Sequence, residues 1–277
     1  PVVIRNGFIT NFTGPGIDTS ANVMQLRNDH VHISNCQFGF DISSSVAMTN
    51  CTATDNLTDG YRVTGTAALA HCVARANAQA GFAITPVALH ACTASDNAVA
   101  GFDIDFPSVL VGCLAFSNDN TGFAVGAGSA IHACTATEND GVGISSGGGA
   151  SVTDCVSRNN SGAGYNLGPA STAIGCSATN NTNGFVLSSD CKVSFCNADG
   201  NGDIGFQGSS DTTIDSCTST DHSTGFIAGT GGLIIRCTAA GNGTDYNTSN
   251  AAFGPIVTLG VGGGPIVTSN PFSNIEY

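Results

Sequence analysis

Cysteine recurs along this chain at a nearly constant interval. Gaps of 20 or 21 residues separate ten of the twelve cysteines, which are Cys51, Cys72, Cys92, Cys113, Cys134, Cys155, Cys176, Cys196, Cys217 and Cys237. The other two, Cys36 and Cys191, lie outside the series. A unit of about 21 residues cannot bury its own apolar face, so it must stack on similar neighbours. The interval therefore predicts a solenoid.

Further positions repeat in step with the cysteines. A small residue follows each cysteine by two places, a glycine that usually precedes an aromatic residue follows by eight or nine, and an aliphatic residue precedes most cysteines by three. Five places after the cysteine stands an asparagine in every repeat except one: Asn56, Asn77, Asn97, Asn118, Asn139, Asn160, Asn181, Asn201 and Asn242. The exception is His222. The consensus is L-x-x-C-x-A-x-x-N-x-x-x-G-F-x-I.

The spacing within the consensus is that of short strands. Cys and Ala are two places apart, and so are Phe and Ile, which is the alternation of a strand with one face inward. Leu and Cys are an odd number of places apart, so a bend lies between them. Each repeat therefore contains three short strands. Stacking in register predicts an all-β, single-stranded parallel β-helix with one coil per about 21 residues, and the handedness of parallel connections predicts right-handed coiling.

The asparagine and cysteine columns have structural explanations. A buried asparagine in every coil is costly unless its amide is satisfied, so we expect these side chains to hydrogen-bond along the axis and to adopt the left-handed corner conformation. His222 is then a substitution within the ladder. Stacked cysteines have Cβ atoms ~4.8 Å apart with parallel vectors, which disfavours disulfides and predicts buried free thiols. Cys191 lies off the column in a corner, where we expect the one reactive thiol.

The repeat also indicates the domain organisation. It is regular from about residue 46, and coils are expected over residues 1–242. The sequence then decays into Gly254-Pro255-Ile256 and a second Gly-Pro-Ile segment, which predicts a capping segment at 243–277, because proline suits terminal strands. Val2-Val3-Ile4 starts almost within a coil. Since the open ends of a solenoid carry unpaired strand edges, end-to-end stacking of copies is a hypothesis.

Charge and hydropathy limit the partners of the protein. Seven Lys and Arg residues against 20 Asp and Glu give a net charge of −13, which disfavours nucleic acid, anionic membranes and polyanionic sugars. No apolar run approaches the ~18 residues of a spanning helix, so membrane insertion is not expected. There is no C-x-x-C pair, and no histidine lies at zinc-site spacing from a cysteine. The sequence therefore predicts neither a metal nor a cofactor.

The repeats Asn50-Cys51-Thr52-Ala53-Thr54-Asp55-Asn56 and Ala91-Cys92-Thr93-Ala94-Ser95-Asp96-Asn97 resemble those of right-handed parallel β-helix proteins of the pectate-lyase-like superfamily. The chain is particularly similar to the cysteine-containing, exported bacterial members, which implies an extracellular or cell-surface location. The superfamily includes lyases, hydrolases, epimerases, phage adhesins and structural rods, so the resemblance implies no single activity. The chain lacks the asparagine-threonine-aspartate motif of polygalacturonases and the aspartate-proline-histidine motif of alginate epimerases.

A few positions predicted to face outward carry charges. If the Phe and Ile of the G-F-x-I segment point inward, Asp103 and Asp105 point outward, ~7 Å apart along one strand. Asp41 and Arg62 occupy the same column on consecutive coils. Two carboxyls at this distance leave room for a water, as an inverting glycosidase requires. The alternative interpretation is solvated surface acids with a weak ion pair between Asp41 and Arg62.

Three functions follow from these patterns. The leading hypothesis is an exported, non-catalytic structural or cell-surface scaffold that assembles end to end, because the corners between Cys51 and Cys237 hardly vary in length and build no walls around a groove. The alternative is a carbohydrate-active or carbohydrate-binding β-helix that uses the four charged residues above and has surface glycans as partners. A minor alternative is an ice-binding face, because T-x-T pairs such as Thr52/Thr54 recur on every second coil.

Overall fold

The computed structural model describes residues 2–19, 26–247, 252–258 and 270–276. Within these ranges the chain forms strands joined by turns and bends and contains no helix. Each strand pairs in parallel with the equivalent strands of neighbouring coils. The predicted all-β parallel β-helix, with three short strands in each coil, is confirmed.

Every regular coil contributes one strand to each of three faces. The aromatic face contains Ile17–Thr19, Phe40–Ile42, Tyr61–Val63, Phe82–Ile84, Phe102–Ile104, Phe123–Val125, Ile144–Ser146, Tyr165–Leu167, Phe185–Leu187, Ile204–Gly208, Thr224–Ala228 and Thr244–Asn247. The aliphatic face contains Val46–Thr49, Ala67–Ala70, Val87–His90, Val109–Val111, Ala130–His132, Ser151–Thr153, Thr172–Ile174, Lys192–Ser194, Thr213–Asp215, Leu233–Ile235 and Ala252–Phe253. The alanine face contains Thr52–Thr54, Val73–Arg75, Thr93–Ser95, Leu114–Phe116, Thr135–Thr137, Val156–Arg158, Ser177–Thr179, Asn197–Asp199, Thr218–Thr220, Thr238–Ala240 and Asn274–Glu276.

Three strands depart from this pattern at the two ends of the described chain. Leu26–Ser34 pairs with one strand of the aliphatic face and with one strand of the alanine face. Val2–Thr10 pairs with Leu26–Ser34 along the whole length of that strand. Ile256–Thr258 pairs with Asn274–Glu276. The strand Thr244–Asn247 continues the aromatic face beyond residue 242. The boundary between coils and a capping segment stays a prediction, since residues 248–251 and 259–269 lie outside the described residues.

Each regular coil turns at a left-handed residue at two of its corners, and six coils have a third such residue at the corner between the aromatic and aliphatic faces. Of the first two, one precedes the cysteine and the other precedes the ladder asparagine, as in Ala91 with φ 51° and Asp96 with φ 55°. Asparagine, aspartate and glycine are frequent at these positions, because they adopt the left-handed region at little cost. The expectation that the ladder asparagine itself is left-handed is wrong. The preceding residue makes the turn, and the asparagine side chain then points inward.

Aromatic rings fill the interior behind the aromatic face. Neighbouring rings have centroids 4.5–5.3 Å apart and planes within 9° of parallel. They form two stacks, which consist of Phe40, Tyr61, Phe82, Phe102 and Phe123, and of Tyr165, Phe185, Phe206, Phe226 and Tyr246. Ile144 lies in register between the stacks. These large buried rings contribute much of the apolar area that each coil removes from water.

The asparagine ladder is confirmed. The Nδ2 of Asn97 donates to Oδ1 of Asn118, and the Nδ2 of Asn118 donates to Oδ1 of Asn139, both at 2.9 Å. Each Oδ1 also accepts the backbone N–H of the preceding ladder residue, and the second Nδ2 hydrogen of Asn118 reaches the carbonyl of Ala94. The polar atoms of each amide are therefore paired, which burial requires.

His222 continues the ladder, as the sequence predicts. Its Nε2 lies 3.0 Å from Nδ2 of Asn201, and its Nδ1 lies 3.0 Å from Oδ1 of Asn242. Because Oδ1 of Asn201 already accepts from Asn181, the amide nitrogen of Asn201 is the donor to His222. Nε2 must therefore accept, which places the proton on Nδ1 and makes the ring neutral. Burial correspondingly lowers the pKa of His222.

Close packing, and not backbone conformation, explains the glycine column. Gly101 lies against the ladder, where an added Cβ would be 2.9 Å from Nδ2 of Asn118 and 2.7 Å from the carbonyl oxygen of Gly122. Such distances leave no room for a side chain. The glycine before each aromatic residue therefore allows the aromatic strand to approach the asparagine ladder.

All twelve cysteines are buried and free. Those of the regular series lie at the corner between the aliphatic and alanine faces, where Sγ–H donates to a carbonyl two residues earlier, as Cys134 does to His132 at 3.4 Å. Cys36 lies in the asparagine column, because its backbone N–H donates to Oδ1 of Asn56 at 3.1 Å. It therefore occupies the ladder position one coil before Asn56.

The expectation of a reactive thiol at Cys191 is wrong. Its side chain is fully buried, and burial raises the pKa of the thiol. Cys191 lies in register between Ser171 and Thr212, in a second internal column at the corner that joins the aromatic and aliphatic faces. All three donate to a nearby carbonyl, and Cys191 does so to Gly168 at 3.2 Å. The thiol therefore replaces a hydroxyl in this column.

Candidate functional site

The four charged residues singled out in the sequence lie on the outer surface of the aromatic face. Asp41 is in register with Arg62, Arg62 with Ala83, and Ala83 with Asp103. Asp105 follows two residues after Asp103, just beyond the end of its strand. The structure therefore places all four in one region that extends over four consecutive coils, with one coil of alanine between Arg62 and Asp103.

Arg62 is held in a fixed orientation. Its Nε donates to Oδ1 of Asp41 at 2.9 Å, and its Nη2 donates to Oδ2 of the same carboxylate. The guanidinium carbon lies 3.8 Å from the ring centroid of Phe38. A two-point ion pair combined with stacking on an aromatic ring orders a guanidinium more than a single surface contact does. Asp41 and Arg62 therefore form a rigid, electrically neutral pair.

Asp59 is a member of this region that the sequence analysis missed. It lies in the corner before the strand Tyr61–Val63, and its Oδ1 accepts the N–H of Ala80 at 3.1 Å. Burial raises the pKa of Asp59, and the negative charges of Asp103 and Asp41 raise it further. The signal in the sequence is that the next two coils carry Ala80 and Ala100 where this coil carries an acid.

The carboxyl group of Asp103 is the second in this region whose pKa is raised. Burial raises its pKa, and the adjacent charge of Asp105 adds to the effect. Asp103 and Asp105 border a depression of about 230 Å³, whose other walls are Ile104, Ala124, Val125, Gly126, Ser145, Ser146 and Gly147. The small side chains of the following two coils create this space, so both carboxyls are accessible to a ligand.

This arrangement provides the elements of proton transfer. A carboxyl with a raised pKa keeps its proton at higher pH and can act as a general acid. Asp59 and Asp103 are two coils apart, which is ~10 Å along the axis. Arg62 does not neutralise Asp103, because the coil of Ala83 separates them. The region therefore contains two protonatable carboxyls on either side of a small, uncharged surface.

The alanine face does not form the flat hydroxyl array that ice binding needs. Phe116 lies in register between Ser95 and Thr137. Although both hydroxyl residues occupy outward positions, they are only 2% and 8% exposed. Arg75, on the coil before Ser95, pairs with Asp96 at 3.0 Å. Bulky side chains therefore cover hydroxyls that a regular T-x-T surface would present.

Metal ligands and membrane spans were considered for residues 2–19, 26–247, 252–258 and 270–276. Among them, no group of three or more His, Cys, Asp or Glu side chains is arranged to hold a metal ion. The same part of the chain has no helix with the length and apolar character needed to cross a bilayer.

The geometry agrees with what comparisons with known proteins find. Residues 2–133 match the family model described as a right handed beta helix region. This match covers just under half of the chain, and the fold of the described residues is that of a right-handed parallel β-helix. A search of curated proteins finds no match.

Among solved structures, an epimerase module has the same fold over almost the whole chain. The A-module of the mannuronan C-5 epimerase AlgE6 of Azotobacter vinelandii covers 99% of this chain and 87% of its own, with a TM-score of 0.51 and 12% sequence identity. The A-module of the mannuronan C-5 epimerase AlgE4 from the same organism covers 79% of this chain and 78% of its own, with a TM-score of 0.44 and 11% identity. Pectate lyase Pel9A covers 88% of this chain and 69% of its own, with a TM-score of 0.40 and 12% identity. At 12% identity the similarity to the AlgE6 module establishes the fold alone.

Proposed function

We propose that this β-helix binds a neutral glycan along the aromatic face and acts on it with Asp103 and Asp105. The observation that carries the proposal is the concentration of Asp41, Arg62, Asp59, Asp103 and Asp105 on four coils of one face. Two of these carboxyls have raised pKa values that originate in burial. Perturbed carboxyls in an accessible depression are typical of functional sites. The fold of this chain is also that of a polysaccharide-modifying module.

The spacing of the coils suits an extended glycan. Coils advance by ~4.8 Å, which is close to the length of one sugar ring in an extended chain. A chain of rings that runs parallel to the axis would therefore meet one coil per ring. The outward positions of the following coils are Ala124, Ser145 and Asn166, so the surface beyond Asp103 is uncharged. This surface favours a neutral ligand, in agreement with the net charge of −13.

Each side chain then has a distinct role. Asp103 is the proton donor to a glycosidic oxygen, because its pKa is raised and it borders the depression. Asp59, two coils away from Asp103, binds the glycan at a more distant ring. The Asp41–Arg62 pair orients sugar hydroxyls, since a fixed ion pair supplies both donors and acceptors. Asp105 lies ~7 Å along the strand from Asp103, which leaves room for a water molecule. This spacing favours hydrolysis with inversion, in which Asp105 takes a proton from the attacking water while Asp103 protonates the departing glycosidic oxygen.

The test is a panel of neutral oligosaccharides with gluco, manno, xylo and galacto configurations, with saturation-transfer NMR for binding and release of reducing ends for cleavage. Wild type should bind one class. Asp103→Asn and Asp105→Asn should each lose cleavage and retain binding, and Asp59→Asn should weaken binding. Asp154→Asn, an exposed acid at another corner, should behave like wild type. Absence of binding across the panel, or equal effects of the Asp103 and Asp154 variants, would refute the proposal.

A second candidate is the exported cell-surface scaffold predicted from the sequence. The observation that favours it is the regularity of the coils, whose continuous internal ladder and ring stacks give a stiff rod with short corners. Both candidates place the protein outside the cytoplasm or at the cell surface, and self-assembly belongs to the second alone. Light scattering and electron microscopy at high protein concentration distinguish them, because the scaffold predicts filaments and the glycan-binding protein predicts dispersed monomers.

A further inference from the structure

Two arginines that are far apart in the sequence come together on the aliphatic side of the first coils. Arg27 is directly in register with Val3, and Arg5 is directly in register with Asp29. The arginines are therefore diagonal neighbours on adjacent parallel strands, with Cα atoms ~8 Å apart. Both side chains are exposed. The pairing of the long strands Val2–Thr10 and Leu26–Ser34 brings these two together.

Arg5 and Arg27 differ from three other arginines, which form ion pairs with aspartates. Arg62, Arg75 and Arg236 each pair with an aspartate on an adjacent coil. Within the described residues, Arg5 and Arg27 form no ion pair and no side-chain hydrogen bond. Like charges on neighbouring strands repel each other, and the chain has only seven basic residues in all. Two unpaired guanidinium groups at one place therefore need an explanation other than general solubility.

Asp29 forms no ion pair with either arginine. Its Oδ1 accepts the hydroxyl of Thr49 and lies 2.8 Å from Nδ1 of His30. These contacts lower the pKa of Asp29, chiefly through the hydroxyl of Thr49. The carboxylate is therefore held by Thr49 and His30, and the forks of Arg5 and Arg27 keep their donors unused. The two arginines and one aspartate leave a net positive charge on this small surface.

The surface between the arginines is concave. Val3, Arg5, Arg27, Asn28, Asp29, Ala47 and Thr49 line a depression of about 190 Å³. Asn28 is only 1% exposed, and within the described structure neither its Oδ1 nor its Nδ2 has a hydrogen-bond partner. Buried amides without partners are uncommon in folded proteins. The amide of Asn28 faces the interior of the coil, because Asn28 is in register with the buried Met48. The depression itself therefore combines unused guanidinium donors with a positive charge.

We propose that this depression binds an oxyanion group carried by a larger ligand, that is, a sulfate, phosphate or carboxylate. Guanidinium forks bind such groups through paired N–H donors. The site lies on the aliphatic side of the first coils, apart from the aromatic-face carboxyls, and does not depend on the proposed glycan chemistry. The net charge of −13 repels polyanions from the molecule as a whole. A ligand with a single oxyanion next to neutral groups therefore fits the site best.

The experiment is a titration followed through the arginine side-chain Nε–Hε signals in nitrogen–proton NMR spectra. Sodium sulfate, sodium phosphate and sodium acetate are added separately at constant ionic strength, with sodium chloride as the balancing salt. The six arginines give few signals, and Arg5→Lys and Arg27→Lys assign the two of interest. We expect these two signals to move together and to saturate with one of the three anions, while those of Arg62 and Arg236 stay in place.

Two double variants complete the test. Arg5→Ala/Arg27→Ala should weaken the affinity at least tenfold, and Arg158→Ala/Lys192→Ala, which removes the same charge from two exposed cations elsewhere, should leave it unchanged. If the Ala double variant does not fold, the Arg5→Lys and Arg27→Lys variants replace it in the test. They retain the charge and should bind with intermediate affinity. The anion that saturates identifies the source as a sulfated, phosphorylated or carboxylated ligand. Linear shifts of all arginine signals with every anion, or equal losses in both double variants, would overturn the proposal.

Discussion

Replacing Asn118 by Ala removes one amide from the middle of the asparagine ladder. In the wild type, Oδ1 of Asn118 accepts both the backbone N–H and an Nδ2 hydrogen of Asn97. The Nδ2 of Asn118 donates to Ala94 and Asn139. In the variant, Oδ1 of Asn139 still accepts one hydrogen bond, because the backbone N–H of residue 118 still donates to it. The substitution therefore leaves two buried donors on Asn97 without an acceptor.

The cost follows from these two donors. Each buried polar group that loses its partner costs about 1–3 kcal/mol, so Asn118→Ala should lower the free energy of unfolding by about 2–6 kcal/mol. This is a large share of the ~5–15 kcal/mol that stabilises a folded domain. Asn166→Ala is the matched control, because Asn166 occupies an exposed outward position of the aromatic face. Its effect should be within ~0.5 kcal/mol.

Urea denaturation of both variants, followed by circular dichroism and by tyrosine fluorescence, measures the difference. The midpoint of Asn118→Ala should fall while the slope of the transition stays unchanged, since the surface exposed on unfolding is the same. A loss of less than about 1 kcal/mol in Asn118→Ala, or similar losses in the two variants, would refute the argument that the ladder stabilises the fold through its amides.

Two further predictions concern buried groups with different partners. Within the described structure the hydroxyl of Tyr61 has no hydrogen-bond partner, whereas that of Tyr165 donates to the carbonyls of Cys155 and Ser177. Calorimetry should therefore show Tyr61→Phe to be neutral or stabilising and Tyr165→Phe to be destabilising by about 1 kcal/mol. The opposite order would contradict these hydrogen-bond assignments. His222 has a lowered pKa, so the unfolded chain binds a proton more readily and stability should fall as the pH drops below the ordinary histidine value of 6.5, by at most ~1.4 kcal/mol per pH unit. His222→Asn, measured by urea denaturation between pH 7 and 5, should remove this part of the dependence, and an unchanged pH profile would contradict the neutral ring.

The sequence predicted those features that depend on one residue type repeated in one column. The spacing of Cys and Asn was enough to predict the coil, the ladder and the place of His222 in it, because in-register stacking leaves only one position for each column. The inward Phe and Ile residues followed from strand alternation. These features depend on the period and not on the detailed course of the corners.

The features that were missed depend on the corners. Cys36 and Cys191 occupy the asparagine column and a hydroxyl column, which the regular cysteine series does not reveal. Asp59 escaped notice because its environment is set by Ala80 and Ala100 on later coils. The proximity of Arg5 and Arg27 depends on the pairing of two long strands at the start of the chain, where the period is not yet regular. Contacts between coils of unequal length cannot be derived from the spacing alone.

The thiols test most directly whether equivalent residues stack in register inside the coils. An aromatic disulfide reagent, added to the intact protein without reductant, should react with none of the twelve cysteines, because all are buried and free. After full denaturation, also without reductant, all twelve should react at once. Rapid reaction of the native protein would place the cysteines at the surface, and fewer than twelve reactive thiols in the denatured protein would reveal disulfides. Either result would contradict the stacked interior on which both proposed sites depend.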